Sequence, residues 1–245
     1  MAKQNGLGAQ LFVAGVDLSG DIGAVDRIGC PTAHLDVTGI SASGHERIFG
    51  QYDGEIALTS FFNDAAAAQH LTLRAKQSGS DALVAYYQGS AIGNMAAFLT
   101  AKQTNYDGSR GQDGSFTLKA QFLANAYGLD YGEQLTAGKR TDTSATNGAS
   151  LNNSAATANG LVAHLHVFSF SGTSVTVKIQ QSSDDGSGDP FADLITFTAA
   201  TGVTSERKST AALTTAVEQY LRVVTTGTFS SAVFAVCASR YAYVL

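Results

Sequence analysis

The chain has no tryptophan, two prolines, two cysteines and few charges: Asp, Glu, Lys and Arg make up 14% of its 245 residues, against about 25% in an average soluble domain. Each shortage excludes something. Without tryptophan, the usual sugar-stacking platforms of glycan-processing enzymes are missing. Cys30 and Cys237 lie far apart in apolar, strand-like surroundings. They offer no disulfide framework and read as buried free thiols. No window approaches the run of about 18 apolar residues that a membrane-spanning helix needs, and the amino terminus MAKQNGLGAQ lacks an apolar signal core. No membrane partner is expected, and the protein is expected to stay in the cytoplasm where it is made. Basic clusters are also missing. With a net charge of −5, the chain has no electrostatic footprint for sequence-independent phosphate binding.

What is present is a chain with 44% hydrophobic residues and 26 glycines, long enough to bury a sizeable core in one large β domain or two ordinary ones. Two are expected. From Gly138 to Gly160 the sequence reads GKRTDTSATNGASLNNSAATANG, too poor in apolar side chains to form a packed face. This places a first domain over 1–145, a linker over 146–160 and a second domain over 161–245. Residues 1–145 carry ten basic against fourteen acidic side chains, and 161–245 five against six. Such a weakly charged, Gly- and Thr-rich surface suits an assembly subunit, whose outside becomes interface.

Alternation of period two marks strands at Ala33 to Ile40, Glu55 to Phe62, Ala82 to Gln88, Ala96 to Gln103 and Ser115 to Asn125. In the last, Phe116, Leu118, Ala120 and Phe122 share one face, and Thr117, Lys119 and Gln121 the other. One side is core; the other is wet or at an interface. Tyr52-Asp53-Gly54, Tyr106-Asp107-Gly108 and Asp113-Gly114 read as turns. Asn63 to Lys76 is expected to hold one short helix, capped by Asn63 or Asp64 and begun by the Ala65 to Ala68 run. In the second domain, Leu161 to Phe170 and Val175 to Gln181 alternate about a turn at Gly172-Thr173. Glu218 to Thr225 and Ala232 to Ser239 read as a hairpin joined by TGTFSS. Short strands with Gly, Ser and Thr turns imply a β-sandwich of about 85 residues there.

Residues that carry chemistry are sparse. His164 and His166, two apart on a strand, point to one face. A metal would need a third ligand, and none stands at a recognisable spacing, so a surface or interface role is expected. Asp184, Asp185, Asp189 and Asp193 form the densest carboxylate cluster, but their spacing is not that of an EF-hand, and a solvated acidic loop is the expectation. There is no G-x-S-x-G elbow, S-x-x-K motif or G-x-x-x-x-G-K phosphate loop. No catalytic, cofactor-binding or metal-binding residue is assigned, and the chain is expected not to be an enzyme.

Two stretches, LDVTGISASGHERIFGQYDGEIALTSFFN from Leu35 and YYQGSAIGNMAAFLTAKQTNYDGSRGQDGSFTLKAQFLANAYGLDYGEQLTAG from Tyr86, resemble the major tail (tail-tube) proteins of siphophages. LHVFSFSGTSVTVKIQQSSDDGSGDPFADL and YLRVVTTGTF look like the accessory β-sandwich that many such proteins carry at the carboxyl end. The resemblance implies a mainly β fold: a tail-tube β-sandwich or half-barrel with one short helix, then a second β-sandwich. It also implies a structural role in the virion tail, with six copies closing into rings that stack into a tube, assembled in the host bacterial cytoplasm. Partners would be the chain itself and the tape-measure, tail-tip and tail-terminator proteins, and DNA would pass through the lumen without specific binding. By the same analogy, the hairpin loop from Ile40 to Asp53 and the amino-terminal arm, Met1 to Asp21, are candidates for ring-to-ring contacts. A weakly acidic lumen would repel phosphate. The alternative is a tail-tip or decoration protein whose carboxyl-terminal sandwich binds a host-surface glycan, with Tyr86, Tyr87, Tyr241 and Tyr243 available for contacts.

Overall fold

A computed structural model describes residues 6–77 and 79–240. The fold is mainly β and antiparallel, as expected. In chain order its elements are β1 (Gln10–Val13), β2 (Val16–Asp17), β3 (Ile22–Gly29), β4 (Thr32–Asp36), β5 (Arg47–Tyr52), β6 (Glu55–Phe61), α1 (Gln69–Lys76), β7 (Ala82–Tyr87) and β8 (Met95–Arg110). There follow β9 (Phe116–Ala124), β10 (Asp130–Gln134), β11 (Arg140–Asp142), β12 (Asn147–Asn152), β13 (Val162–Ser182), β14 (Ala192–Thr196), β15 (Thr204–Ser209) and β16 (Tyr220–Ser239). Two compact units result. The first gathers Met1–Gly20, Leu83–Phe98 and Asp130–Leu245, and the second Asp21–Ala82 and Leu99–Leu129.

The spine of the first unit is the antiparallel pair β13 and β16, in register from Val162 opposite Ser239 to Ser182 opposite Tyr220. Both strands are far longer than the usual 3–10 residues. The expected turn at Gly172-Thr173 and the hairpin over TGTFSS do not exist: the two glycine-containing stretches lie near one another, and both strands continue through bulges. Gly172 has φ +146° and Gly227 φ +123°, conformations that an L side chain resists. A Cβ on Gly172 would lie 2.4 Å from the Phe229 Cα. These glycines bend a continuous ribbon rather than reverse it.

The outer edge of β16 takes β10, β11 and β12 in turn, while β13 takes β15 along its first half and β14 along its second. The segment 146–160, expected as a linker, therefore carries a strand paired to β16 and lies inside the first unit. Its stability comes from backbone pairing and a polar network. Arg140 gives two hydrogen bonds of 2.8 Å to Asp142 and one to the Val223 carbonyl, and Thr225 Oγ1 donates to Asp142 at 2.6 Å.

The first half of β13 is buried on both faces. Leu161, Ala163, Leu165 and Val167 join one core with Val177, Ile179, Phe197 and Phe234. Val162 points the other way, into a second core with Phe12, Tyr87, Phe98 and Cys237. That second core needs β1 and β7, so the carboxyl-terminal sandwich is not confined to 161–245: it is completed by the start of the chain and by 83–98. The amino-terminal segment is correspondingly no free arm. Leu11, Phe12 and Val13 are buried, β1 pairs with β7, and residues 1–5 lie outside the described residues.

In the second unit, β3, β6, β9 and the later part of β8 form an antiparallel sheet in that order. Tyr106-Asp107-Gly108 lies within β8 rather than turning the chain; the reversal falls at Gly111–Gly114, where the Gly111 N–H donates to the Ser115 carbonyl. The helix is shorter than expected. Its N-cap is Ala68, and Ala67 has φ +57°, so the Ala65 to Ala68 run stays outside it despite high helix propensity. Asn63 instead makes an Asx turn to the Ala65 N–H, and the Asp21 carboxylate accepts from the Gln69 N–H and from Asn63 Nδ2.

Candidate assembly surface

The sheet of the second unit has two unlike faces. Ile56, Leu58 and Ser60 of β6 stand opposite Phe122, Ala120 and Leu118 of β9, and all six are buried. Tyr106, paired with Ala120, points to the same side. Its hydroxyl meets Gln69 Nε2 at 3.3 Å and His70 Nδ1 at 2.7 Å, which places α1 over this face. The alternation read from Leu118 to Phe122 holds; Phe116 sits at the end of its strand and is exposed.

The opposite face is polar. Register groups Arg27, Glu55, Thr59, Lys119, Gln121, Lys102 and Asp107 on it. Several of these side chains have polar partners: Arg27 meets Glu55 at 2.9 Å, Gln121 meets Glu55 at 2.6 Å, Thr59 meets Asp26 at 2.7 Å and Lys102 meets Asp81 at 2.8 Å. The Lys102 ammonium, among other groups, holds the Asp81 carboxyl below its usual range. Three cations, Arg27, Lys102 and Lys119, stand against four carboxylates, Asp26, Glu55, Asp81 and Asp107.

Both outer strands of this sheet, β3 and the Asn105–Arg110 part of β8, are paired within the unit on one side. Among the described residues, Ile22–Arg27 of β3 and Asn105–Arg110 have a strand on one side only, and the other side can take a further strand. From the β3 end of the sheet projects a separate two-stranded hairpin, β4 and β5, in which Leu35 faces Ile48 and His34 faces Phe49. Leu35, Val37, Ile40, Ile48, Phe49 and Tyr52 are all exposed, Phe49 at 83% and Ile40 fully. A lone hairpin is marginal in water, and so many large apolar side chains on one are the mark of a contact surface. The loop singled out from the sequence, Ile40 to Asp53, is the tip and returning strand of this hairpin.

Other residues singled out are placed differently. His164 and His166 are not at a surface or interface: both are fully buried. Among the described residues no three His, Cys, Asp or Glu side chains are grouped to hold a metal. In the acidic loop, Asp184 accepts the N–H groups of Ser187, Gly188 and Asp189, Asp189 accepts that of Ser183, and Asp193 binds Lys178 and Gln180. Backbone hydrogen bonds hold the Asp184 carboxyl below its usual range, and the loop's carboxylates are thus used for turn geometry. Tyr87 is fully buried and Tyr86 nearly so; Tyr241 and Tyr243 lie outside the described residues. Cys237 is buried and free, while Cys30 is only partly covered.

No family model matches the chain, and no curated protein matches it. Among solved structures it is similar to the tail of an empty gene transfer agent particle refined with C6 symmetry, at 19% identity and a TM-score of 0.39, over 53% of this chain and 98% of that one. It is similar to the Dit hub protein of phage SPP1 at 12% identity and TM-score 0.33, over 94% and 98%. It is also similar to a chain of the phage p2 baseplate at 10% identity and TM-score 0.36, over 96% and 99%. Overlaps this loose assign nothing to this chain.

Proposed function

We propose that the chain is a non-catalytic structural subunit of a phage tail, whose second unit closes into rings that stack into a tube. The observation that carries this is the four-stranded sheet with two open edges, one polar face and a projecting apolar hairpin. Edge strands of this length are aggregation hazards unless covered. Pairing β3 of one copy with the Asn105–Arg110 edge of the next removes both at once, and repetition around an axis closes a barrel. The resemblance read from the sequence sets six as the expected number. The hairpin then reaches beyond its own ring, where burying its side chains would supply the stacking contact.

In such a ring the helix-covered face is turned outward and the polar face lines the lumen. DNA passing through would meet cations that already have anionic neighbours, as Arg27 and Lys102 do, so phosphate finds little to release counterions against. Cations that are already paired, together with a small acid excess, are what keep the surface from sticking. Light scattering on the purified chain tests the reading: a mass six times the monomer, lost on placing proline at Val25 in β3, supports edge pairing. A closed trimer indifferent to that substitution overturns it and leaves the tail-tip alternative.

A further inference from the structure

His164 and His166 project from β13 into the second core of the first unit, and neither has solvent contact. Their ring centroids are 6.3 Å apart. Neither nitrogen of His164 has a hydrogen-bond partner, nor has Nε2 of His166. Buried polar nitrogens without partners are rare and call for an explanation. The one bond the pair makes is instructive: the Gly15 N–H, in the turn between β1 and β2, donates to His166 Nδ1 at 3.3 Å. That turn is seated closely, since a Cβ on Gly15 would lie 2.8 Å from the Thr204 carbonyl oxygen and 3.0 Å from that of Val167. Phe12 of β1 lies 6.0 Å from the His166 ring. The amino-terminal hairpin is thus fastened to β13 through an imidazole that must be neutral, with its proton on Nε2.

We propose that His166 is an acid-sensitive latch, holding the β1–β2 hairpin on β13 while its ring is neutral and releasing it when the ring takes up a proton. A proton on Nδ1 abolishes the acceptor for Gly15 and sets two N–H groups against each other. Among the described residues, every influence on the two rings disfavours a cation. From β8 the neighbour of His164 is Phe98, 4.7 Å away; from β13 itself the neighbour of His166 is Phe168, stacked at 6.3 Å. The register puts Arg207 of β15 and Cys237 of β16 beside His164, and the arginine adds repulsion. Tyr87 of β7 and Asp130 of β10 act on Cys237, whose thiol burial pushes up to about 12. The Lys139–Asp17 ion pair, with the ammonium 5.9 Å from the Phe168 ring, is already neutralised.

The direction follows from linkage. Desolvation holds His166 down to about 3 and His164 well below the ordinary 6.5. Once the hairpin opens, His166, which the hairpin covers through Gly15 and Phe12, regains access to water and that ordinary value. Stability is therefore complete above pH 6.5 and falls as the pH drops below it, because the open state binds protons that the closed state refuses. Below that value the release of His166 makes opening up to about tenfold more favourable per pH unit.

Amide hydrogen exchange on the intact chain, corrected for the intrinsic pH dependence of exchange, reads the opening of Phe12, Val13 and Gly15 directly. The opening constant is expected to rise about eightfold between pH 6 and pH 5. It should be flat in the His164→Leu/His166→Asn variant, in which the introduced amide oxygen can still accept from the Gly15 N–H. A flat wild-type profile, or an equal rise in the variant, overturns the proposal. If the variant does not fold, ring-carbon NMR of the wild type decides alone. Neutral rings down to pH 5 in the folded chain support the latch, and a ring titrating near 6.5 without opening refutes it.

Discussion

Replacing Asp142 by alanine tests whether the polar, glycine- and threonine-rich segment after Gly138 is built into the first unit. The carboxylate is 4% exposed and accepts two hydrogen bonds from Arg140, itself 16% exposed, plus one from Thr225. Removal leaves a buried guanidinium with only the Val223 and Thr146 carbonyls as acceptors, and breaking a buried pair from one side costs about 3–5 kcal/mol. At about 2–4 °C per kcal/mol for a domain of this size, melting should fall by roughly 6–20 °C. Asp142→Asn, which keeps the shape and an acceptor, should lose about half as much. Urea unfolding in dilute solution, where association does not contribute, measures both. A loss below about 1 kcal/mol for the alanine variant would mean that the segment behaves as the linker its composition implies.

Gly172→Ala should cost at least about 2 kcal/mol, because both the positive φ and the close approach of Phe229 must be accommodated; a neutral result would refute the bent-ribbon account of β13 and β16. Thiol labelling at pH 8 should modify Cys30 alone, since Cys237 is buried and its thiol is pushed up to about 12. Two thiols reacting at similar rates in the folded chain would contradict this. Phe49→Asp should change folding stability by less than about 0.5 kcal/mol yet weaken assembly by tenfold or more, the equivalent of losing about 1.5–3 kcal/mol of side-chain burial per contact. Equal assembly would free the hairpin of any role in it.

Where one face of a strand is buried and the other is not, the sequence is easily read. Leu118, Ala120 and Phe122 announce the covered face of β9, and Thr117, Lys119 and Gln121 the open one. The hairpin carrying Ile48 and Phe49 reads in the sequence only as a long hairpin loop, Ile40 to Asp53; that those side chains are exposed follows from the fold. Three features of the fold run against their local sequence signals for physical reasons. Ala65 to Ala68 has the propensity for helix, yet Asp21, distant in sequence, fixes the first helical N–H at Gln69. Residues 146–160 are apolar-poor, and what holds them is pairing to β16 and the Arg140–Asp142 network, neither of which composition reveals. His164 and His166 alternate like surface residues, but the run from Leu161 to Phe168 holds no charged side chain. That is the pattern of a strand buried on both faces, and it is the signal that could have placed them in a core.

The central claim, closure into rings that stack, is tested most directly by negative-stain electron microscopy of the purified chain over a range of concentrations. The account predicts hollow six-fold rings that lengthen into tubes as concentration rises. Discrete closed oligomers with no central channel at every concentration, together with saturable glycan binding, would contradict it.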